Sequence, residues 1–215
     1  GLTEQTIKHW GVGYNPSQYL VPEIQTFDGS PAAVFAGIMI PARVDNLLWM
    51  LKIRQDKEPK YIQVAGGKPT LFGAHTLNKP SCLLVEGEFD AMLAWQEAGD
   101  LVGIASTTGG AGTWHHEWSI YLLTTQRIFV AYDRDETGIK AGKLVTAQIA
   151  RAKQVLVPAG KDITEYHQAG GNIRQWVISL LPDEEKPPKT GCRICYGTEW
   201  QHRDGKWACS ICQTP

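Results

Sequence analysis

Two apolar runs in this sequence end in carboxylates. Glu86 follows the run 83–85, and Asp133 and Asp135 follow the run 130–132. Each run predicts a buried strand, and a strand that ends in an acid places charge where open α/β sheets bind ligands. Carboxylate oxygens gathered at such an edge suit Mg²⁺ and substrates that carry phosphate groups. The sequence therefore predicts a divalent-metal site at Glu86, Asp133 and Asp135.

Two further acids fall at the same predicted edge. Asp162 comes just after the predicted strand 153–157, and Asp90 lies one turn into the helix that follows Glu86. A lone aspartate is most often only a surface residue. Acids at equivalent places after several strands are more typical of a metal site, so we expect Asp90 and Asp162 to belong to it.

The elements that must position these acids follow from the hydrophobic pattern. From residue 82 onward strands alternate with helices, which predicts an α/β fold with a mostly parallel sheet. The predicted strands are 83–87, 101–106, 127–133 and 153–157, and the predicted helices are 88–98, 115–123, 138–152, 162–168 and 172–181. Before them we expect a helix at 3–9 capped by Thr3, strands at 33–40 and 47–54 around an Asp45-Asn46 turn, and a short strand at 60–64.

Basic residues precede the acidic segment. Lys52 and Arg54 are two residues apart on one predicted strand, so both side chains point to the same face. Together with Lys60 and Lys68 they suit the backbone of a template nucleic acid or an incoming triphosphate. The alternative for any one of them is an ordinary surface residue. The glycine-rich segment 108–112 follows a strand and predicts either a close backbone approach to substrate or a simple turn.

The C-terminal cysteines form two pairs with the spacing of a zinc site. Cys192 and Cys195 are followed, after thirteen residues, by Cys209 and Cys212. Four thiolates leave no open coordination position, so the predicted zinc is structural. A hairpin over 200–207 is expected between the pairs. Cations and aromatic rings of this module suit single-stranded DNA, and they are Arg193, Trp200, His202, Arg203, Lys206 and Trp207, of which one tryptophan is expected to fill the module's own core.

Composition narrows the class of protein. The net charge of −1 over 215 residues excludes a global basic field, so any nucleic-acid surface must be local. The longest apolar runs are about ten residues, too short to span a bilayer, and no membrane partner is expected. Four of the five cysteines lie in the last 24 residues, which favours metal over disulfides and a reducing, cytoplasmic setting.

Three motifs together resemble a known family. The pattern Glu86-Gly87-x-x-Asp90, then Asp133-x-Asp135-x-x-Gly138, then Gly160-Lys161-Asp162 resembles the TOPRIM domain of primases, topoisomerases and certain nucleases. Segments 1–7, 11–14, 38–41, 59–61 and 71–73 are similar to landmarks of the catalytic core of bacterial DNA primases, and 86–93 is similar to phage primase-helicases.

The resemblance implies roles for individual residues. It implies Glu86 as a general base or metal-orienting carboxylate, Asp133 and Asp135 as ligands of Mg²⁺ or Mn²⁺, and Asp90 and Asp162 as supporting ligands. Similar primases have basic residues near Lys52, Lys60 and Lys68. The chain departs from the family at Thr164, where a further aspartate is common, and in a zinc ribbon that follows the core instead of preceding it.

The resemblance also implies an architecture and a function. We expect a primase catalytic core with a mixed-β N-terminal subdomain at 1–78, a Rossmann-like TOPRIM domain at 79–181, a linker at 182–190 and a zinc ribbon at 191–215. The expected activity is synthesis of RNA primers from ribonucleoside triphosphates on single-stranded DNA, with a replicative helicase as a further partner. The alternatives are a TOPRIM-type metal-dependent nuclease and a non-catalytic single-stranded-DNA-binding protein.

Overall fold

The computed structural model describes residues 1–26, 29–109, 114–203 and 205–214. Its N-terminal part contains helix α1 (Glu4–Trp10) and strands β1 (Gly13–Asn15), β2 (Tyr19–Gln25), β3 (Pro31–Val34), β4 (Gly37–Val44), β5 (Leu47–Arg54) and β6 (Tyr61–Gln63). Strands β1, β4, β5 and β6 form an antiparallel sheet in the order β1-β4-β5-β6, called here the N-terminal sheet. Strands β2 and β3 form a separate two-stranded sheet.

A second, larger sheet follows. It is built from β7 (Leu71–Phe72), β8 (Ser81–Val85), β9 (Gly103–Thr107), β10 (Arg127–Ala131) and β11 (Ala152–Gln154), with helices α2 (Glu88–Ala98), α3 (Glu136–Gln148), α4 (Ile163–Gln168) and α5 (Ile173–Leu180). The order of this central sheet is β11-β10-β8-β9-β7, and its strands are parallel except for β7. The predicted parallel α/β sheet is therefore confirmed.

Alternating side chains of β8 pack on opposite faces of the central sheet. Leu83 and Val85 join a core with α2, α4 and α5, whereas Cys82 and Leu84 join a separate core with α3. The first core also takes in Ile40, Met50 and other buried residues of the N-terminal sheet. Burial on both faces explains why the strand is uniformly apolar. The first core, which both sheets share, fixes the N-terminal sheet against the central sheet on the side of α2.

Local signals place several elements where the sequence predicts them. The Thr3 hydroxyl accepts a hydrogen bond from the Thr6 N–H at 3.2 Å and caps α1. Asp45 and Asn46 both have positive φ, 49° and 64°, as the tight turn between β4 and β5 requires. The hairpin predicted around these two residues is confirmed.

Other elements differ from prediction. The predicted strand 33–40 is divided between β3 and β4, and β2 was missed because its side chains are largely exposed and show no apolar alternation. The predicted helix 115–123 is a 3₁₀ helix at His116–Leu122. The Arg151 guanidinium donates to the carbonyls of Leu122 and Thr125, at 2.7 and 2.8 Å, and so satisfies two hydrogen-bond acceptors at the end of this segment.

Helix α3 begins earlier than predicted, and the reason is steric. Gly138 lies inside its first turn, and Asp135 is the N-cap. A Cβ at position 138 would lie 2.4 Å from the carbonyl oxygen of Asp133, so only glycine allows the helix to start this close to the strand end. With thirteen residues, α3 is the longest of the described helices, and none of these is long and apolar enough to cross a membrane.

The C-terminal module follows a 3₁₀ turn at Asp183–Glu185 and contains the hairpin β12 (Trp200–Arg203) and β13 (Lys206–Cys209). Glu185 forms an ion pair with Arg127 and accepts a hydrogen bond from Ser81 at 2.9 Å. Ser81 and Arg127 begin β8 and β10, so the segment leading into the module is attached to the amino edge of the central sheet.

Candidate metal centres and nucleic-acid face

Three of the predicted acids meet at the carboxyl edge of the central sheet. Carboxylate oxygens of Asp90, Asp133 and Asp162 all lie within 4.8 Å of one another. Asp133 follows β10, Asp162 caps α4, and Asp90 lies in the first turn of α2, after β8. Because β8, β10 and β11 are parallel, the loops after them converge at this edge. The topology inferred from the sequence thus brings together residues that are 72 positions apart.

Asp90 is fixed by the residue at which the chain departs from the family pattern. The backbone N–H and the hydroxyl of Thr164 both donate to Oδ1 of Asp90, at 2.9 and 2.7 Å. A threonine here adds no charge to the centre. Thr164 orients Asp90 instead, a contact that the sequence alone could not indicate.

Two other acids are fixed by helix capping. Asp135 accepts a hydrogen bond from the Gly138 N–H at 2.9 Å, and Asp162 accepts one from the Glu165 N–H at 2.7 Å. Each carboxylate therefore satisfies a free donor at the start of a helix. The cap holds the side chain at the sheet edge, where a metal ligand has to be.

The sequence predicted no role for Lys161, although the residue belongs to the motif Gly160-Lys161-Asp162. Its ammonium lies 3.0 Å from Oδ2 of Asp133 and 3.1 Å from Oδ2 of Asp135. These contacts raise the pKa of Lys161, so the residue is charged in the structure. The signal in the sequence was a lysine directly beside Asp162, on a loop at the acidic edge.

The acids differ in their titration. Burial raises the pKa of Asp90 to about 6, with the charges of Asp162 and Asp133 acting in the same direction and the Thr164 hydrogen bonds opposing them. Burial also raises the pKa of Asp133, against the effect of Lys161. The pKa of Asp135 is lowered, first by the Gly138 N–H and then by Lys161. Repulsion among buried carboxylates is the condition that a divalent cation relieves.

Glu86 and Asp135 lie beside the triad without joining it. Glu86 directly follows β8 and is half-buried. Burial raises the pKa of Tyr132 to about 12, and the charge of Glu86 acts in the same direction, against a hydrogen bond with Thr107. Asp135 reaches the triad through Lys161, which it shares with Asp133. Their roles as ligands or base stay predictions.

The oxygen triad fits a small divalent ion. Ligands bound at about 2.1 Å in an octahedron lie roughly 3 to 4.2 Å from one another. The carboxylate oxygens of the triad lie within 4.8 Å of one another, so a small inward movement of the side chains brings them to this spacing. All three donors are carboxylates, the type that Mg²⁺ and Mn²⁺ prefer.

The predicted basic strand lies next to the acidic loop. Lys52 forms an ion pair with the buried Glu88, and Arg54 lies 5.1 Å from the ring centre of Phe89. The Lys52 ammonium is also 5.2 Å from the ring of Tyr61. Lys52 and Arg54 therefore share one face of β5, as predicted, and that face contacts the first turn of α2 between Glu86 and Asp90.

The other two predicted basic residues lie on the protein surface. Lys60 and Lys68 are exposed, and Lys68 is held through its backbone N–H, which donates to the carbonyl of Trp49 at 2.8 Å. Of the glycine-rich segment 108–112, which was predicted as a close approach to substrate or a turn, residues 110–112 lie outside the described residues.

The four C-terminal cysteines form a second candidate metal centre. Their Sγ atoms all lie within 4.8 Å of one another, with 3.4 Å between Cys192 and Cys212 and 3.4 Å between Cys195 and Cys209. A tetrahedral zinc with bonds of about 2.3 Å holds its sulfurs roughly 3.8 Å apart. The cluster fits zinc.

The module contacts the rest of the chain through residues that the sequence placed on a DNA-binding face. His202 Nδ1 lies 2.9 Å from the carbonyl oxygen of Asp100, and the Trp207 indole N–H donates to the carbonyl of Glu185 at 3.1 Å. Trp207 also packs against the large core that includes α2 and α5. Both residues are half-buried and dock the module on the rest of the chain, a role that the sequence did not predict for them. Tyr196, which was not predicted, is 84% exposed.

A family model described as Toprim-like matches residues 83–167. The "Gene 57 protein" of Mycobacterium phage D29 is 30% identical over 111 residues, which is 50% of this chain and 70% of that protein. The matched segment contains Asp90, Asp133 and Asp162.

Solved structures share the fold over most of the chain. The primase fragment of the bacteriophage T7 primase-helicase protein has a TM-score of 0.64 at 20% identity, over 82% of this chain and 69% of that chain. The RNA polymerase domain of Mycobacterium tuberculosis primase DnaG has a TM-score of 0.60 at 16% identity, over 83% of this chain and 75% of that one. The same domain in complex with double-stranded DNA gives 0.63 at 17% identity, over 80% and 68%.

Proposed function

Because this chain is a member of the TOPRIM family with the fold of a primase catalytic core, we propose that it synthesises short RNA primers on single-stranded DNA. The reaction is metal-dependent nucleotidyl transfer from ribonucleoside triphosphates. The same proposal makes the chain a DNA-directed RNA polymerase of the primase type.

The observation that carries this proposal is the contact between the acidic loop and the basic strand. Glu88 lies two residues before Asp90 and pairs with Lys52 on the N-terminal sheet. Burial raises the pKa of Tyr61 on β6, and the charges of Glu88 and Asp90 act in the same direction, against Arg54. A metal centre beside a cationic and aromatic face suits a reaction in which a nucleotide and a template must meet. The nuclease alternative needs only the acids and leaves this face without a role.

The acids would hold the metal. Asp90, Asp133 and Asp162 are the proposed ligands of Mg²⁺ or Mn²⁺, with Glu86 and Asp135 as further candidates. A bound ion would offset the charge of the triphosphate and orient its α-phosphorus for attack by a 3′-hydroxyl. Thr164 keeps Asp90 in place, and the capping N–H of Glu165 keeps Asp162 in place. Glu86 is the proposed general base or metal-orienting carboxylate.

The basic residues would bind the nucleic acid and the nucleotide. Arg54 is exposed beside Phe89, an arrangement that suits a phosphate backbone with a base stacked near it. Lys60 and Lys68 extend the same positive charge outward. The T7 lagging-strand DNA polymerase interacting with the primase domains of two subunits has been solved bound to an RNA/DNA hybrid and dTTP, and we propose nucleic acid and nucleoside triphosphate as the ligand classes of this chain. The T7 relative is a primase-helicase, which supports a replicative helicase as a partner.

The cysteine module would hold a structural zinc and contact DNA through its outer face. Ile194 and Tyr196 near one cysteine pair and Ile211 within the other are all more than 60% exposed. We propose that this face, with Arg193, contacts single-stranded template. The module is attached at the amino edge of the central sheet, whereas the acids lie at the carboxyl edge. A five-residue strand, about 16 Å long, separates the two edges. The boundaries proposed for the four segments remain 1–78, 79–181, 182–190 and 191–215.

The test is RNA synthesis on single-stranded DNA of varied sequence with Mg²⁺ or Mn²⁺. Wild type is compared with Asp133→Asn and with Asp183→Asn, a matched control at an exposed acid on the other edge of the sheet. We expect short RNA from wild type and the control and none from Asp133→Asn. A labelled template in the same assay reports cleavage. Metal-dependent cutting without RNA synthesis would contradict the proposal and favour a nuclease.

A further inference from the structure

The Lys161 ammonium occupies the acidic centre in a way that the proposed reaction does not yet explain. It bridges Oδ2 of Asp133, a member of the triad, and Oδ2 of Asp135, at 3.0 and 3.1 Å. The side chain is 47% exposed, so one side of the ammonium remains open to solvent. A cation in this position neutralises carboxylates that would otherwise repel one another.

The loop that carries Lys161 is held at its backbone while the side chain is not enclosed. The Arg134 N–H donates to the Lys161 carbonyl at 2.8 Å, and the Lys161 N–H donates to a Glu165 carboxylate oxygen at 2.8 Å. Gly160 has φ of +75°, and a Cβ there would lie 3.0 Å from Cβ of Glu165. The backbone therefore fixes where the side chain starts, and its four-carbon stem can change direction without moving the loop.

A divalent ion at the triad and the Lys161 ammonium would share the carboxylate of Asp133. Asp133 cannot turn its Oδ2 fully to a metal while that atom binds Lys161, and two cations at one carboxylate group repel each other. We propose that Lys161 is a displaceable counter-ion of the acidic centre, which a divalent ion expels and which then binds the triphosphate of the incoming nucleotide. This inference rests on the proposed function of the same site.

The second half of the proposal follows from the tether. The displaced ammonium remains attached one residue before Asp162, a proposed metal ligand, and so stays beside any phosphate held there. An ammonium is a compact charge suited to phosphate oxygens. Lys161 would thus exchange carboxylate oxygens for phosphate oxygens as the site is loaded.

The experiment measures metal and nucleotide affinity separately in the full chain. Mn²⁺ is titrated without nucleotide and followed by electron paramagnetic resonance, and a fluorescent ribonucleoside triphosphate is then titrated at saturating Mn²⁺. Lys161→Met is compared with Lys140→Met, which removes an exposed lysine paired with Glu136 and changes the net charge equally. We expect Lys161→Met to bind Mn²⁺ about tenfold more tightly and the nucleotide about tenfold more weakly. Lys161→Arg should behave more like wild type in both titrations.

The opposite direction of the two changes distinguishes displacement from a structural role. If Lys161 only supported the loop, its loss would weaken both affinities, and that result would overturn the inference. Mn²⁺ affinity equal to wild type would also overturn it, and unchanged nucleotide affinity would overturn the triphosphate contact. Failure of wild type itself to bind Mn²⁺ would contradict the proposed function as well, so the two failures are distinguishable.

Discussion

The acidic centre and the cysteine cluster are both candidate metal sites, but they depend on the fold in opposite ways. The acids come from positions 90 to 162 and meet because a buried parallel sheet brings its loops together. The cysteines come from positions 192 to 212, and of the described residues of their module only Cys192 and Cys209 are buried. One site is made by the fold, whereas the other has too little apolar core to fold without its metal.

This difference has a physical consequence for each metal. In the acidic centre the helix caps, Thr164 and Lys161 already place the candidate ligands, so loss of an ion should leave the structure intact. In the cysteine module a bound ion would replace the missing core. Removal of metal should therefore abolish function at the first site and structure at the second.

The largest expected effect comes from Cys209→Ser. The change removes a thiolate from a four-thiolate site, and structural zinc contributes roughly 10 to 16 kcal/mol in small zinc modules. We expect loss of zinc, collapse of the amide NMR dispersion of 191–214, and little change in the central sheet. Ser210→Ala, which leaves all four thiols in place, is the control. A folded module without zinc would break the comparison.

Asp90→Asn should raise the stability of the metal-free protein, whereas Cys209→Ser should lower the stability of its module. The folded pKa of Asp90, about 6, is raised above the usual value of 3.8. Charged Asp90 therefore costs stability, and that cost appears as the pH rises from about 4 through 6. Without metal at pH 7 we expect the variant to be more stable by about 2 kcal/mol, measured by urea unfolding.

The difference should shrink as the pH falls below 5, because the wild-type carboxyl then carries its proton. The same variant should bind Mn²⁺ more weakly, since it lacks one carboxylate. If Asp90→Asn were destabilising at neutral pH, the acidic centre would not be the strained, metal-ready site described above.

Thr164→Val should have a smaller effect on the acidic centre. It removes the hydroxyl that donates to Asp90 and keeps the backbone N–H and the branched shape. We expect a loss of about 1 kcal/mol in unfolding free energy and a several-fold weaker Mn²⁺ affinity. Thr164→Ser retains the hydroxyl and should restore both values. Equal affinities in the valine and serine variants would show that the hydroxyl does not position Asp90.

The smallest expected effect is at the contact between the two regions. His202→Ala removes the contact with the Asp100 carbonyl and should lower stability by less than about 1 kcal/mol. Hydrogen exchange should quicken at β12, while the zinc content stays at one per chain. Gln201→Ala, a neighbour whose amide contacts Gln213, is the control. Loss of zinc in His202→Ala would mean that docking and metal binding are coupled.

The sequence predicted the carboxyl-edge cluster because two strong patterns agree on it. Buried parallel strands read as continuous apolar runs, and the acid after each run marks the strand's end. Asp90, Asp133 and Asp162 therefore meet as the topology requires. The turn at Asp45 and Asn46 was also predictable, because the positive φ that a tight hairpin turn requires favours asparagine and aspartate.

Other features depend on side-chain contacts that no pattern reports. Lys161 was missed because a lysine in a loop has no periodicity, and its partners are known only when the strands are in place. The docking contacts of His202 and Trp207 were not predicted, because the sequence cannot show where one module docks on another. Thr164 was considered a lost ligand, although in the structure it orients Asp90.

The most direct test of the two-site account is anomalous X-ray scattering from crystals of the full chain soaked in Mn²⁺, with data collected at the zinc and manganese edges. The account predicts a zinc peak among the four cysteine sulfurs even before soaking. It predicts a manganese peak among Asp90, Asp133 and Asp162 only after soaking, with the Lys161 ammonium moved away from Asp133. An ordered cysteine module without a metal peak, or no manganese at the three aspartates, would contradict it.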